Sequence, residues 1–313
     1  MKRFVPFMPE HTLNGHTDSI NSLAFSPTGN RLASGSEDGS LIIWEPLNGT
    51  LIYRTVFHSA ILSLTWDPRH FGRLFIGCSD GTLAICENSE ESTSSILTGT
   101  KAPVFALTVD EYSGHVTIAL GSEIHITKEI ACDKYATFRI FPPPPELPLT
   151  AEQPDKRIRG RVLAFREKGS ELVVAYLNHG VVCWDTRSFE QRWQINPIHS
   201  HQIVGHAALS SDMKRIALTN LGDGVDIYSL GRSHPDIRLE NRPLSEEKNI
   251  PMQVSWLRDG AAVVSGSADG GVHIWEIPSG EAVQSLEHEG CIVQAVAVCH
   301  TIYLVFGSFS GVS

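Results

Sequence analysis

The sequence has no long apolar run, no paired-cysteine motif and no surplus of basic residues, and each absence closes off a class of function. No stretch approaches the roughly eighteen apolar residues of a membrane-crossing helix, so a membrane is not an expected partner. The N-terminal MKRFVPFMPEH carries two basic residues, but two prolines break its short apolar run, whereas a secretory leader needs a longer uninterrupted one. The six cysteines (Cys78, Cys86, Cys132, Cys183, Cys291 and Cys299) form no C-x-x-C pair and no finger-like spacing with histidine. Thiols scattered singly point to a reducing compartment, cytoplasmic or nuclear. The 35 acidic residues outnumber the 25 lysines and arginines, giving a formal charge of −10, which argues against nucleic acid as a partner.

Some chemical motifs are missing as well. There is no G-x-S-x-G elbow of the α/β-hydrolase kind. The glycine-rich SGSEDGS and SGSADGG are followed by neither Lys-Ser/Thr nor a helix, so they read as tight turns and not phosphate loops. His199 and His201 can share a strand face but have no further ligands beside them, and neither a metal nor a cofactor is expected.

What is present is repetition. Residues 15–45, GHTDSINSLAFSPTGNRLASGSEDGSLIIWE, match residues 252–276, MQVSWLRDGAAVVSGSADGGVHIWE. Each has an alternating apolar strand, a polar turn, a second strand ending in Ser-Gly-Ser-x-Asp-Gly, and a third ending in Ile-Trp-Glu. Period-2 alternation punctuated by Asp-Gly and Thr-Gly turns is the pattern of an antiparallel meander. Between the two segments, weaker copies recur about every 43–46 residues, among them AILSLTW with RLFIGCSDG, and RVLAF with GVVCWD.

These segments resemble the WD40-repeat family, and the resemblance extends over nearly the whole chain. It implies an all-β, seven-bladed β-propeller in a single domain, 1–313. The repeats fall at approximately 15–50, 51–90, 94–141, 157–188, 189–230, 235–280 and 281–313, with a proline-rich loop at 142–158. The segment 4–14 is placed to be the outer strand of the last blade. The C-terminus supplies two of the three inner strands for that blade, and the expected tryptophan falls beyond Ser313. The expectation is a truncated or alternatively ended product with an open strand edge. Trp66-Asp67 spells the repeat terminus but sits at the end of a first strand, so it reads as a core aromatic followed by a turn.

By resemblance, His16, Ser34, Asp38 and Trp44 occupy a buried hydrogen-bonded tetrad. Members of equivalent sets are His58 and Asp80, Trp184, His201 with Thr219 and Asp223, and Ser265 with Asp269 and Trp275. A buried His and Asp must be partnered, which gives the set a structural reason to recur. The sharp alternative is a Ser-His-Asp nucleophilic triad. Against it, the set recurs from repeat to repeat, and Trp44 would cover the Ser34 hydroxyl. No catalytic residue is assigned.

The fold implies binding at the face where loops run into the innermost strands, which places Thr17, Asp18, Ser59, Lys101, Arg159, Gln202 and Glu289 there. Phe141, Pro142, Pro143, Pro144 and Pro145 form a separate candidate. Four prolines after a phenylalanine favour polyproline II, a ligand for EVH1, SH3 or WW domains, with a stiff inter-blade connection as the plain alternative. Three functions stay open: a scaffold subunit of a multiprotein complex, a recognition module for a peptide or modified tail such as a ubiquitin-ligase substrate receptor, and an enzyme. The first is the expectation, with other proteins or peptides as partners.

Overall fold

A computed structural model describes residues 6–87, 93–97, 100–131, 134–146, 157–197, 203–220, 224–240, 251–267, 270–287, 292–299 and 303–309. Each four-stranded antiparallel sheet is one blade, with its strands in chain order from the centre outward. Blade one holds β1 (Ile20–Phe25), β2 (Leu32–Ser36), β3 (Ser40–Glu45) and β4 (Thr50–Val56). Blade two holds β5 (Ile61–Trp66), β6 (Arg73–Cys78), β7 (Thr82–Glu87) and β8 (Thr93–Leu97). Blade three holds β9 (Val104–Val109), β10 (Val116–Leu120), β11 (Glu123–Ala131) and β12 (Lys134–Ile140). In blade four are β13 (Gly160–Arg166), β14 (Glu171–Tyr176), β15 (Gly180–Asp185) and β16 (Gln191–Ile195). Blade five has β17 (Val204–Leu209), β18 (Arg215–Asn220), β19 (Gly224–Ser229) and β20 (Ile237–Glu240). Blade six has β21 (Val254–Leu257), β22 (Ala262–Gly266), β23 (Gly271–Glu276) and β24 (Ala282–Glu287). A last, two-stranded sheet pairs β25 (Ile292–Cys299) with β26 (Tyr303–Phe309).

The innermost strands close a ring. β1 packs on β5, β5 on β9, β9 on β13, β13 on β17, β17 on β21, β21 on β25, and β25 returns to β1. Burial follows this radial order. The second strands β2, β6 and β10 are buried along their whole length, because neighbouring blades cover both faces. The outer strand β4 is mostly exposed, with only alternate residues partly buried. The cores lie between blades: Ala33, Leu41 and Ile43 of blade one pack with Ile61, Leu74 and Ile76 of blade two. Among the described residues the sole helical piece is a three-residue 3-10 turn, Arg258–Gly260.

The Asp-Gly turns are as tight as their sequence requires. Gly39 has φ +75°, and a Cβ there would stand 2.7 Å from the Phe57 carbonyl oxygen. Only glycine meets both conditions.

The expected seven blades, the last of them truncated, are corrected to six four-stranded blades among the described residues, followed by a two-stranded sheet between blades six and one. The segment 4–14 is not a strand in its described part, residues 6–14; residues 1–5 lie outside the described residues. The physical reason is spacing. Strands pair only at about 4.8 Å, and no described strand lies between β26 and this arm. The arm instead lies against blade six, where the Phe7 N–H donates to Gln284 Oε1 at 2.9 Å. Gln284 Nε2 donates back to the Phe7 oxygen at 2.7 Å, so a side chain takes the place of a strand partner.

Candidate functional site

In blade one the four tetrad residues meet. Trp44 Nε1 donates to Ser34 Oγ at 2.8 Å, and Ser34 Oγ lies 2.7 Å from His16 Nε2. His16 Nδ1 reaches Ser40 Oγ at 2.8 Å, and Ser40 Oγ donates to Asp38 Oδ1 at 2.6 Å. Because Ser40 spends its proton on the carboxylate, its oxygen accepts from His16 Nδ1–H, which leaves Nε2 to accept from Ser34. Asp38 also takes the Thr17 N–H at 2.7 Å. Burial lowers the His16 pKa and outweighs the attraction of Asp38, so the imidazole is neutral. Burial also pushes the Asp38 carboxyl upward, but hydrogen bonds from Ser40 and Thr17 win and hold it far below the usual carboxylate range.

This relay resembles an activated serine on paper. Ser34, however, is 2% exposed, and its oxygen is already occupied by Trp44 and His16. A nucleophile needs a substrate within reach, and this hydroxyl faces only protein.

The other assigned tetrad members divide. In blade two, His58 and Asp80 are exposed, so they make no buried lock. Ile76 takes the place of Ser34 and Cys86 that of Trp44, which leaves nothing for a His–Asp pair to hold. In blade five the register differs by one residue. Ile216 pairs Tyr228 as Leu32 pairs Trp44, so Leu218, and not Thr219, stands at the serine position. A one-residue step reverses the face. Thr219 Oγ1 accordingly donates to the Met252 carbonyl at 2.9 Å. In blade six, Ser265 and Trp275 are both buried, and Ser265 Oγ donates to the Gly266 oxygen at 2.9 Å. Trp184 is buried in blade four. Asp223, His201 and Asp269 lie outside the described residues.

Trp66 performs a different task. Its Nε1 donates to the Ala24 carbonyl at 2.9 Å, and Trp256, at the same strand position of blade six, donates to the Ala208 carbonyl at 2.8 Å. Each staples its blade to the one before it.

Phe141 is also a core residue. It is 4% exposed, with its ring 4.7 Å from Phe189 and 6.3 Å from Trp184. Pro144 is buried and Pro145 half-buried, while Pro142 and Pro143 are exposed.

A concavity lies at the channel end where the chain runs into the innermost strands. Its volume is about 430 Å³. Its construction repeats from blade to blade. In β1, β5, β9, β13, β17 and β25 the pairing register skips one residue near the start of the strand. The skipped residues are Asn21, Leu62, Phe105, Arg161, Gly205 and Gln294, and all six line the cavity. Gln253, just before β21, completes the ring. A bulge frees one residue from the ladder and re-aims its side chain, here toward the axis.

The sequence-predicted face residues lie just outside this ring. Thr17, Asp18 and Lys101 are exposed, and Ser59 and Arg159 are partly buried. Arg159 stacks 5.8 Å over the Phe105 ring. Gln202 and Glu289 lie outside the described residues. Sequence reasoning stopped at the turns and missed the bulged residues two to five positions later. No motif marks them. Their signal is position, the second residue of the first strand in blades one to five and the third in β25.

Among the described residues two charged side chains line the cavity, Arg161 and Glu37. Glu37 is exposed at the rim and accepts from Asn21 Nδ2 at 3.0 Å. Arg161 lies deeper, where burial first and the charge of Arg159 second lower its pKa. His206 beside it is pushed down to about 3, by burial first and then by Arg161, so it is neutral. Among the described residues no group of three or more His, Cys, Asp or Glu side chains forms a metal cluster. No described helix is long and apolar enough to cross a membrane.

Comparison with known proteins gives a consistent picture. The family model "WD domain, G-beta repeat" matches residues 7–45 and 245–276. The chain is 25% identical to "Protein tipD" of Dictyostelium discoideum over 90% of its own length and 44% of that protein. It is 25% identical to "WD repeat-containing protein 82" of Drosophila melanogaster, over 88% of this chain and 83% of the relative. A shorter match, 47% identical, covers 17% of the chain and 7% of "Ribosome biogenesis protein ERB1" of Debaryomyces hansenii. The chain thus spans less than half of tipD and a small fraction of the ribosome-biogenesis protein.

Proposed function

Because the chain is a β-propeller carrying WD40 repeats, we propose that it works as a non-catalytic scaffold for protein–protein interaction, with the channel mouth as its docking surface. The carrying observation is the cavity of about 430 Å³ ringed by bulged residues from blades one to five and the last sheet, with Gln253 of blade six closing the ring. A concave site built on rigid strands, with polar groups converging in it beside apolar ones, is suited to recognition. The polar machinery that resembles catalysis is buried elsewhere, inside blade one. The finer reading is a subunit of a multiprotein complex in the cytoplasm or nucleus. It rests on the scattered buried thiols Cys78, Cys86, Cys183 and Cys299 and on the ribosome-biogenesis relative. Recognition of a short peptide, as in a ubiquitin-ligase receptor, is the second reading, and the size of the cavity favours it.

A polyproline ligand has less support. An EVH1-type partner would have to extract Phe141 from between Phe189 and Trp184, which leaves Pro142 and Pro143 as the accessible pair. The test is affinity capture with the full chain against Leu62→Trp, which fills the mouth. Partners held by the wild type and lost by the filled variant support the docking surface. Partners indifferent to Leu62→Trp overturn it.

A further inference from the structure

We propose that the channel mouth selects a peptide bearing one carboxylate beside an apolar side chain, with Arg161 as the residue that reads the carboxylate. This rests on the mouth being the docking surface.

Two amides of the ring, Asn21 and Gln253, are already committed. Asn21 Nδ2 donates to Glu37 and to the Ile61 carbonyl. Gln253 donates to the Asn21 carbonyl and accepts the Val296 N–H. These side chains hold blades one, two, six and the last sheet together across the mouth. Arg161 is different. Its one hydrogen bond among the described residues is from Nε to the Gly205 carbonyl, at 3.5 Å, and no described carboxylate pairs with it. A guanidinium presents five N–H donors in a planar fork, and taking one from water without a counter-charge is costly. The fork suits a bidentate carboxylate.

The surroundings sharpen the choice. His206 Nδ1 accepts the Val254 N–H at 3.3 Å, so Nε2 carries the ring's proton and gives the cavity wall a second donor. Arg159 and the exposed Lys101 add positive charge on the same side. Leu62 and Phe105, the bulged residues of the two preceding blades, offer an apolar seat next to Arg161. Glu37 stands on the opposite rim and disfavours a second carboxylate.

The experiment uses the full chain and amidated, rhodamine-labelled peptides Ala-Leu-X-Leu-Ala, with X as Asp, Glu, Gln, Lys or phosphoserine, read by fluorescence anisotropy. The Asp or Glu peptide is expected to bind at least about tenfold tighter than Gln or Lys, an advantage lost in Arg161→Gln and passed to Lys in Arg161→Glu. Should Arg161→Glu not fold, weakening of wild-type binding with added salt replaces it. No acidic preference, acidic binding unchanged in Arg161→Gln, no binding by the acidic peptides up to about 1 mM, or a preference for phosphoserine over both carboxylates would each overturn the proposal. Partners lost by Leu62→Trp but kept by Arg161→Gln and Arg161→Glu would leave the docking surface standing and remove the carboxylate. Partners kept by all three would remove the surface itself.

Discussion

Blades one and four bury the same tryptophan by different means. Trp44 and Trp184 occupy equivalent positions on β3 and β15, and each is 3% exposed. In blade one the indole N–H is taken by Ser34, which is tied through His16 and Ser40 to Asp38. In blade four the serine position is Val174, and Trp184 Nε1 lies near the Tyr176 hydroxyl without closing a hydrogen bond. Phe141 compensates by reaching across from the end of blade three onto Trp184 and Phe189. A blade can be locked by polar satisfaction within itself or by an aromatic lent by its neighbour. The first ties strands of one sheet together, whereas the second ties two blades to each other.

The two locks differ in what breaks them. Phe141→Ala should be the most damaging change, costing about 3–5 kcal/mol by opening a cavity over Trp184, measured by urea denaturation. A loss below 1 kcal/mol would mean that the ring contributes little to the joint between the blades. Ser34→Ala should cost about 1–3 kcal/mol, because the indole and imidazole both lose their partner. Its melting curve, set beside that of Phe141→Ala, compares the two locks directly.

A pH series isolates a third device, the neutral His206. Its folded pKa of about 3 lies below the unfolded value near 6.5, so between these the unfolded chain binds the extra proton. Stability is therefore fully present above pH 6.5 and falls as the pH drops toward 3. His206→Gln should flatten the dependence of Tm on pH over this window, and an unchanged slope would show that the histidine is not buried neutral. The lowered pKa of Asp38 adds a loss that sets in only below about pH 4. The smallest effect is expected of Val174→Thr. It offers Trp184 Nε1 an acceptor at nearly constant volume, and a shift below about 1 kcal/mol is expected. A larger loss would mean that blade four tolerates no polar atom beneath its aromatic plug.

The legibility of the chain followed the repetition of its chemistry. Blade one and blade six were readable because Ser-Gly-Ser-x-Asp-Gly and Ile-Trp-Glu mark their turns and third strands. Blade five misled by one residue, since Thr219 keeps the four-residue step to Asp223 while the ladder places Leu218 at the serine position. Spacing along a chain does not fix which face a side chain takes, and pairing does. Phe141 read as a free anchor for a partner, because nothing in a run of prolines announces a hydrophobic socket formed by residues more than forty positions away.

The sequence by itself determined the all-β meander, the propeller resemblance and the tight Asp-Gly turns, all consequences of local alternation and of backbone angles that glycine alone meets easily. Tertiary structure decided the rest. It set six full blades among the described residues, buried Phe141, and turned Asn21, Leu62, Phe105 and Arg161 toward one axis. Strand pairing and bulges join residues far apart in the chain, so which side chains face one another depends on the closed ring and not on any one segment of the sequence.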